Sequence, residues 1–214
     1  LDGSAKDFVI NIEQAGIRFL EKERSVLWVQ RKVEVTVGDK TATLTPSFTQ
    51  SFSVSLDFPG TIIGEQTYRY DTQRLGFKHQ VANARTFGFS HQVDALKAAG
   101  FAKGGLLSNA ILIDKETIVN KEPLRYKTEF ARHKVLDAMG DLALSGYPII
   151  ADYHSHKGGH DLNHRLVSKL MSDQRNWRLM TYTEYADLVG PKYIAESKLA
   201  DLAPKKERNK EEAC

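Results

Sequence analysis

Cysteine is all but missing from this sequence. The single one, Cys214, is the last of 214 residues, so no disulfide framework can form within the chain and a reducing compartment is the simplest setting. No apolar run approaches the length of a membrane span, and no basic-then-apolar leader opens the chain. Charge of one sign is not in excess either. A net +3 permits an acidic or phosphorylated ligand but gives no argument for nucleic acid. Methionine comes late: the chain opens on Leu1 and its first methionine is Met139, the order expected of a piece of a longer translation product. No repeat or low-complexity linker is visible.

What is present is enough for a packed core. The chain is 41% hydrophobic, and its length suits one largish domain or one and a half. Phe8, Val9, Ile12 and Ala15 recur at helical spacing before Gly16, a C-terminal cap candidate. Residues 25–37 have strand composition, and Gly38-Asp39-Lys40 reads as a turn. In 51–58, Phe52, Val54 and Leu56 alternate with Ser51, Ser53 and Ser55, the pattern of a strand with one face on a core. Residues 59–66 are turn-rich and 72–84 are expected to be helical. A short helix over 91–100, strands over 109–114 and 118–120, a helix over 129–145, a strand over 146–154, a helix over 160–171 and a strand over 177–183 follow. Apolar-poor residues 191–214 are expected to be disordered. This order predicts an α/β (α+β) sandwich, with helices on one face of a mainly antiparallel sheet.

Chemistry concentrates in one region. Five of the seven histidines lie between 133 and 164. His133, Asp137 and Asp141 are four apart, at about 0°, 40° and 80° around a helix, opposite an apolar stripe that includes Val135, Met139 and Leu142. A His and an Asp at i and i+4 stand one above the other and can share a zinc ion. The same spacing also describes an ordinary solvated face. His154 and His156 would share a strand face, and His160 and His164 are one helical turn apart. Together the two clusters point to a metal or acid–base site.

Several separated motifs, "LDGSAKDFV", "ARTFGF", the Gly-Gly before "NAILID", "FARHKVLDAMGDLALSG" and "KGGHDLNHRL", carry a resemblance. Over residues 1 to about 180 the chain resembles the zinc-dependent UDP-3-O-acyl-N-acetylglucosamine deacetylases of lipid A biosynthesis. That family has two similar α/β domains with the active site between them, and the resemblance assigns this chain to the second. Residues 1–20 would be the junction from a missing N-terminal domain. Residues 21–190 would be the second domain, and about 88–120 the inserted βαβ unit that forms a passage for the acyl chain. Val93, Leu96, Phe101 and Leu106 are candidates for its wall or for the unit's own small core.

The resemblance implies a Zn2+ cofactor held by His133 and Asp137. It makes His160 the catalytic histidine, oriented by Asp141. Lys134 and Phe87 would meet a UDP-linked acylated glucosamine, and Thr86 would serve both substrate binding and catalysis. A cytoplasmic enzyme releasing acetate is the implied activity. Zinc would polarise the amide carbonyl and activate a water, with a general base and a positioned acid handling the protons.

The departures are specific. The family's third zinc ligand and general base form a Glu-His pair in the first domain, and nothing in this chain matches it; His79 and His91 lack an adjacent glutamate. The chain alone is therefore expected to be inactive, or nearly so, with weak zinc affinity. His154, His156 and Asp161 are also unusual for the family. A non-catalytic remnant or substrate-binding module of the same fold is the alternative expectation.

Overall fold

The computed structural model describes residues 1–18, 20–72, 76–93, 100 and 107–190. Helix α1 (Lys6–Ala15) leads into β1 (Ser25–Val29), β2 (Val33–Val37), β3 (Lys40–Thr45), β4 (Ser51–Phe58) and β5 (Gly64–Asp71). The short α2 (Phe77–Gln80), then β6 (Phe87–Phe89), β7 (Ile111–Asp114) and β8 (Thr117–Ile118) follow. Helix α3 (Glu129–Ala143), β9 (Ile149–Ile150), β10 (Asp152–His156), α4 (His160–Met171), β11 (Trp177–Thr181) and α5 (Tyr182–Val189) complete the described chain.

The main layer is a five-stranded sheet in the order β2-β3-β10-β4-β5. Every neighbouring pair is antiparallel except β10 with β4. Helix α3 lies over β4 and β5, α4 lies over β2 and β3, and the two helices touch. This is the expected α+β sandwich. Its core follows the alternation: Phe52, Val54 and Leu56 from β4 meet Phe130 and Val135 of α3 and Leu166 and Leu170 of α4 in one buried cluster. Burying side chains of this size contributes about 1.5–3 kcal/mol each, before the entropy of ordering is counted. On β10, Tyr153 and Ser155 are buried against the helices. His154 and His156 take the opposite, polar face, in register with Thr43 and Ser53, and with Thr41 and Ser55.

Sequence expectation and structure part in three places. Residues 25–37 form two strands in different sheets, because β1 pairs with β11 and β9 while β2 is an edge of the main sheet. The single strand expected over 146–154 is likewise two, divided at the buried Ala151: Ile149 and Ile150 pair with β1, and β10, which runs on to His156, joins the main sheet. The helix expected over 72–84 is limited, among the described residues, to Phe77–Gln80. It cannot continue because Ala82 O accepts from Ala5 N (2.8 Å) and Thr86 N donates to Gly3 O (2.9 Å), which ties this stretch to the start of the chain.

β5 and α5 were not foreseen. β5 is a polar edge strand whose half-buried side chains are Gln66 and Tyr68 with buried Tyr70. α5 had a local signal, the capping box between Thr181 and Glu184. Strands β6, β7 and β8 form a separate small sheet, with β6 parallel to β7, within the segment expected to be the inserted unit. Most of the helix expected over 91–100, with Leu96, Phe101 and Leu106, lies outside the described residues, as does 191–214. Val93 is half-buried at the end of a described stretch.

Candidate active site

The site begins with a buried ion pair 44 residues apart in sequence. Glu129, at the first turn of α3, is fully buried and accepts from Arg85 N (3.0 Å), Arg85 Nε (2.9 Å), Arg85 Nη2 (3.2 Å) and Arg125 N (2.6 Å). Arg85 Nη2 also reaches Pro123 O, at 2.8 Å. With both partners satisfied, the charge is tolerated inside the protein, and a carboxylate at a helix N-terminus is favoured by the helix dipole. The consequence is positional. Residues 84–87 are clamped to the helix that carries His133.

That clamp sets the tautomer of His133. Its Nδ1 lies 3.1 Å from Ala84 O; a carbonyl only accepts, so Nδ1 carries the proton. The other nitrogen, Nε2, faces Asp137 Oδ1 at 3.3 Å. Lys134 Nζ donates to Asp137 Oδ2 at 2.9 Å and stands 5.5 Å from the centre of the Phe87 ring. Burial by itself would raise the pKa of Asp137. The hydrogen bond and charge of His133, joined by the charge of Lys134, outweigh burial and hold the carboxyl well below the usual carboxylate range.

One turn further on, Asp141 meets the second helix. Its Oδ2 lies 2.9 Å from His160 Nδ1 and accepts from Asn163 Nδ2 at 2.9 Å. Its Oδ1 faces His164 Nε2 at 3.4 Å. His160 is the first residue of α4, and its own Nε2 looks towards Asp137 Oδ2 at 3.9 Å. The loop before it is anchored by Lys157, whose Nζ pairs with Asp39 and Asp57, each at 2.9 Å. Gly158 is required there by space: a Cβ would lie 2.8 Å from Ser155 Cβ.

His133, Lys134, Asp137, Asp141 and His160 thus form one patch, with Phe87 beside it; the Phe87 and His133 rings are 6.5 Å apart. His133 and Asp141 are buried, so the row is not a solvated helix face. Thr86 sits on the adjoining segment, its backbone bonded to Gly3 and Ile111; no hydrogen bond among the described residues joins its hydroxyl to the patch. His154 and His156 lie on the far face of the sheet. Arg85, Glu129, Asn163 and the contact of His164 with Asp141 were missed in the sequence. Asn163 had a faint signal, one turn after His160 on the same helix.

The donor atoms of His133 and Asp137 suit a metal ion. With a proton on His133 Nδ1, the lone pair of Nε2 points at a carboxylate oxygen, and two acceptors at 3.3 Å need a positive charge between them. A proton or a metal ion meets that need, so the pair fits two positions of a tetrahedral zinc site. No group of three or more His, Cys, Asp or Glu that could hold a metal occurs among the described residues.

A family model described as UDP-3-O-acyl N-acetylglycosamine deacetylase matches residues 1–172. The chain belongs to this family. The UDP-3-O-acyl-N-acetylglucosamine deacetylase of Campylobacter fetus subsp. fetus (strain 82-40) is 43% identical over 184 residues, covering 86% of this chain and 63% of that protein. Those of Campylobacter concisus (strain 13826) and Sulfurovum sp. (strain NBC37-1) are 42% and 41% identical, over 62% and 63% of their lengths. The chain therefore spans a little under two thirds of the length of these family members.

Proposed function

We propose that this chain carries the acid side of a zinc-dependent amide-hydrolysis site. The substrate is UDP-3-O-acyl-N-acetylglucosamine, and the reaction releases acetate for lipid A synthesis in the cytoplasm. The observation that carries the reading is the double use of His160: Nδ1 on Asp141 at 2.9 Å, Nε2 turned towards Asp137 at 3.9 Å. An imidazole held at one nitrogen by a carboxylate presents the other to a reacting group.

His133 Nε2 and Asp137 would hold the zinc. When bound, zinc polarises a carbonyl oxygen and makes water a nucleophile near neutral pH. His160 Nε2 delivers a proton to the departing nitrogen as the amide C–N bond breaks, so that acetate and a free amine leave. Asp141 keeps the proton of His160 on Nδ1 and stabilises the imidazolium before it is spent. Lys134 contributes positive charge beside the reacting carbonyl, Phe87 forms an apolar wall, and Thr86 is assigned by resemblance to the substrate oxygen. The third metal ligand and the general base come, in this proposal, from a Glu-His pair outside these 214 residues.

Acetate release and zinc stoichiometry, measured on this chain and on any longer form its reading frame encodes, test the reading. Turnover with one tightly held zinc in the longer form, and neither in the chain alone, is the expected result. No acetate from either form removes the enzyme and leaves a binding module of the same fold.

A further inference from the structure

We propose that Tyr153 and Asn163 are positioning residues that set the orientation of His160 through Asp141. Tyr153 of β10 and Asn163 of α4 are each 2% exposed. Tyr153 Oη lies 2.6 Å from Asn163 Oδ1, Asn163 Nδ2 lies 2.9 Å from Asp141 Oδ2, and the same oxygen lies 2.9 Å from His160 Nδ1.

Only one arrangement of protons satisfies this row. A carboxylate accepts and does not donate, so the amide of Asn163 must turn its NH2 towards Asp141. Its carbonyl oxygen then faces Tyr153, and the hydroxyl must donate. Burial, offset in part by a hydrogen bond with Ser155 and reinforced by the charges of Asp141 and Asp137, pushes that hydroxyl up to about 12. It remains a donor throughout the working range of pH. Without the hydroxyl, the buried Asn163 carbonyl oxygen loses its donor, and the side chain loses the second contact that holds its NH2 on Asp141.

The row matters because His160 has little else to hold it. Its side chain is 61% exposed, and the hydrogen bonds described for its ring all go to Asp141. An exposed imidazole is thus aimed from beneath: by Asp141, whose carboxylate is fixed by Asn163, whose amide is fixed by Tyr153. His164, at 3.4 Å from Asp141 Oδ1, braces the other oxygen and does not hold the Asn163 amide. Tyr153 and Asn163 reach no reacting atom themselves. Their effect on turnover rests on the deacetylase reading, whereas their effect on the His160 ring does not.

Tyr153→Phe in this chain, labelled with 15N at histidine, is the test. In the unsubstituted protein His160 is expected as the Nδ1–H tautomer with a hydrogen-bonded ring proton. In Y153F the ring is expected to become a mixture of tautomers and to lose that proton signal. Lower stability with an unchanged ring would make Tyr153 a packing residue only and overturn the proposal. Should Y153F not fold, the unsubstituted protein still decides. The Tyr153 hydroxyl proton should be protected from exchange and lie close to the Asn163 side chain, and a freely exchanging hydroxyl would overturn the donating Tyr153. In a longer form that turns over, Y153F should lower kcat roughly 10- to 100-fold with KM unchanged. A shifted ring in a protein that never releases acetate supports the relay and retires the deacetylase reading. An unshifted ring retires the relay, whatever the activity.

Discussion

His160 Nδ1 lies 2.9 Å from Asp141 Oδ2, a contact between two helices whose carriers are 19 residues apart. It joins a buried carboxylate of one helix to an exposed imidazole at the start of the other. Neither residue could define a site alone. Together they give a ring with one nitrogen committed and one available.

The first prediction concerns that pair. In a form of the protein that releases acetate, His160→Ala is expected to lower kcat by roughly 10²- to 10⁴-fold, the usual contribution of a positioned acid. Asp141→Asn should lose activity as well, because an amide no longer offers a carboxylate to the Nδ1 proton. Steady-state acetate release measures both, and wild-type kcat in H160A would remove His160 from the reaction.

Glu129→Ala should be among the most damaging single changes to the fold. It leaves Arg85, 4% exposed, as a buried cation without its main partner, a loss of about 3–5 kcal/mol. Urea denaturation followed by circular dichroism measures it. If His133 holds zinc as proposed, metal affinity should fall with it, since Ala84 O holds the His133 tautomer. A loss under 1 kcal/mol would mean that Glu122, 3.2 Å from Arg85 Nη1, is a sufficient replacement.

Gly3→Ala should detach the start of the chain from the domain body. Gly3 has φ +79°, and a Cβ there would lie 2.0 Å from Asn109 O. The left-handed conformation alone costs about 1–2 kcal/mol for an L side chain, and the backbone collision adds to it. Amide exchange reports the outcome: Thr86 N–H, bonded to Gly3 O at 2.9 Å, should lose protection. Full protection in G3A would show that the segment is held elsewhere.

Asp2 supplies a pH dependence of known sign. Burial would raise its carboxyl. Hydrogen bonds from the Ser4 and Arg125 side chains and from the Ser4 backbone, with the charge of Arg125, outweigh burial and bring the pKa from 3.8 to about 2. A carboxylate with a lowered folded pKa stabilises fully above its unfolded value and loses that contribution as pH falls through the folded value. The stability advantage over Asp2→Asn should be on the order of 1 kcal/mol above pH ~4 after solvent screening, and should vanish towards pH ~2. Chemical denaturation across that range tests it, and a constant difference would show that Asp2 does not titrate with folding.

The sequence by itself determined the parts that repeat locally. Alternation in 51–58 announces a one-sided strand, the apolar spacing after 160 gives α4 its limits, and the motifs from "LDGSAKDFV" to "HDLNHRL" carry the family. Local periodicity is legible because it reflects each residue's own neighbours along the chain. The three-dimensional structure decided what depends on distant partners. It buried His133 and Asp141 where a solvated row was equally compatible with the spacing. It divided 149–156 between two sheets at Ala151. It joined Arg85 to Glu129 and Tyr153 to Asp141 by way of Asn163. Such contacts leave no period in the sequence, because the groups that must satisfy a buried charge or a buried amide are chosen by the packing of helices on a sheet.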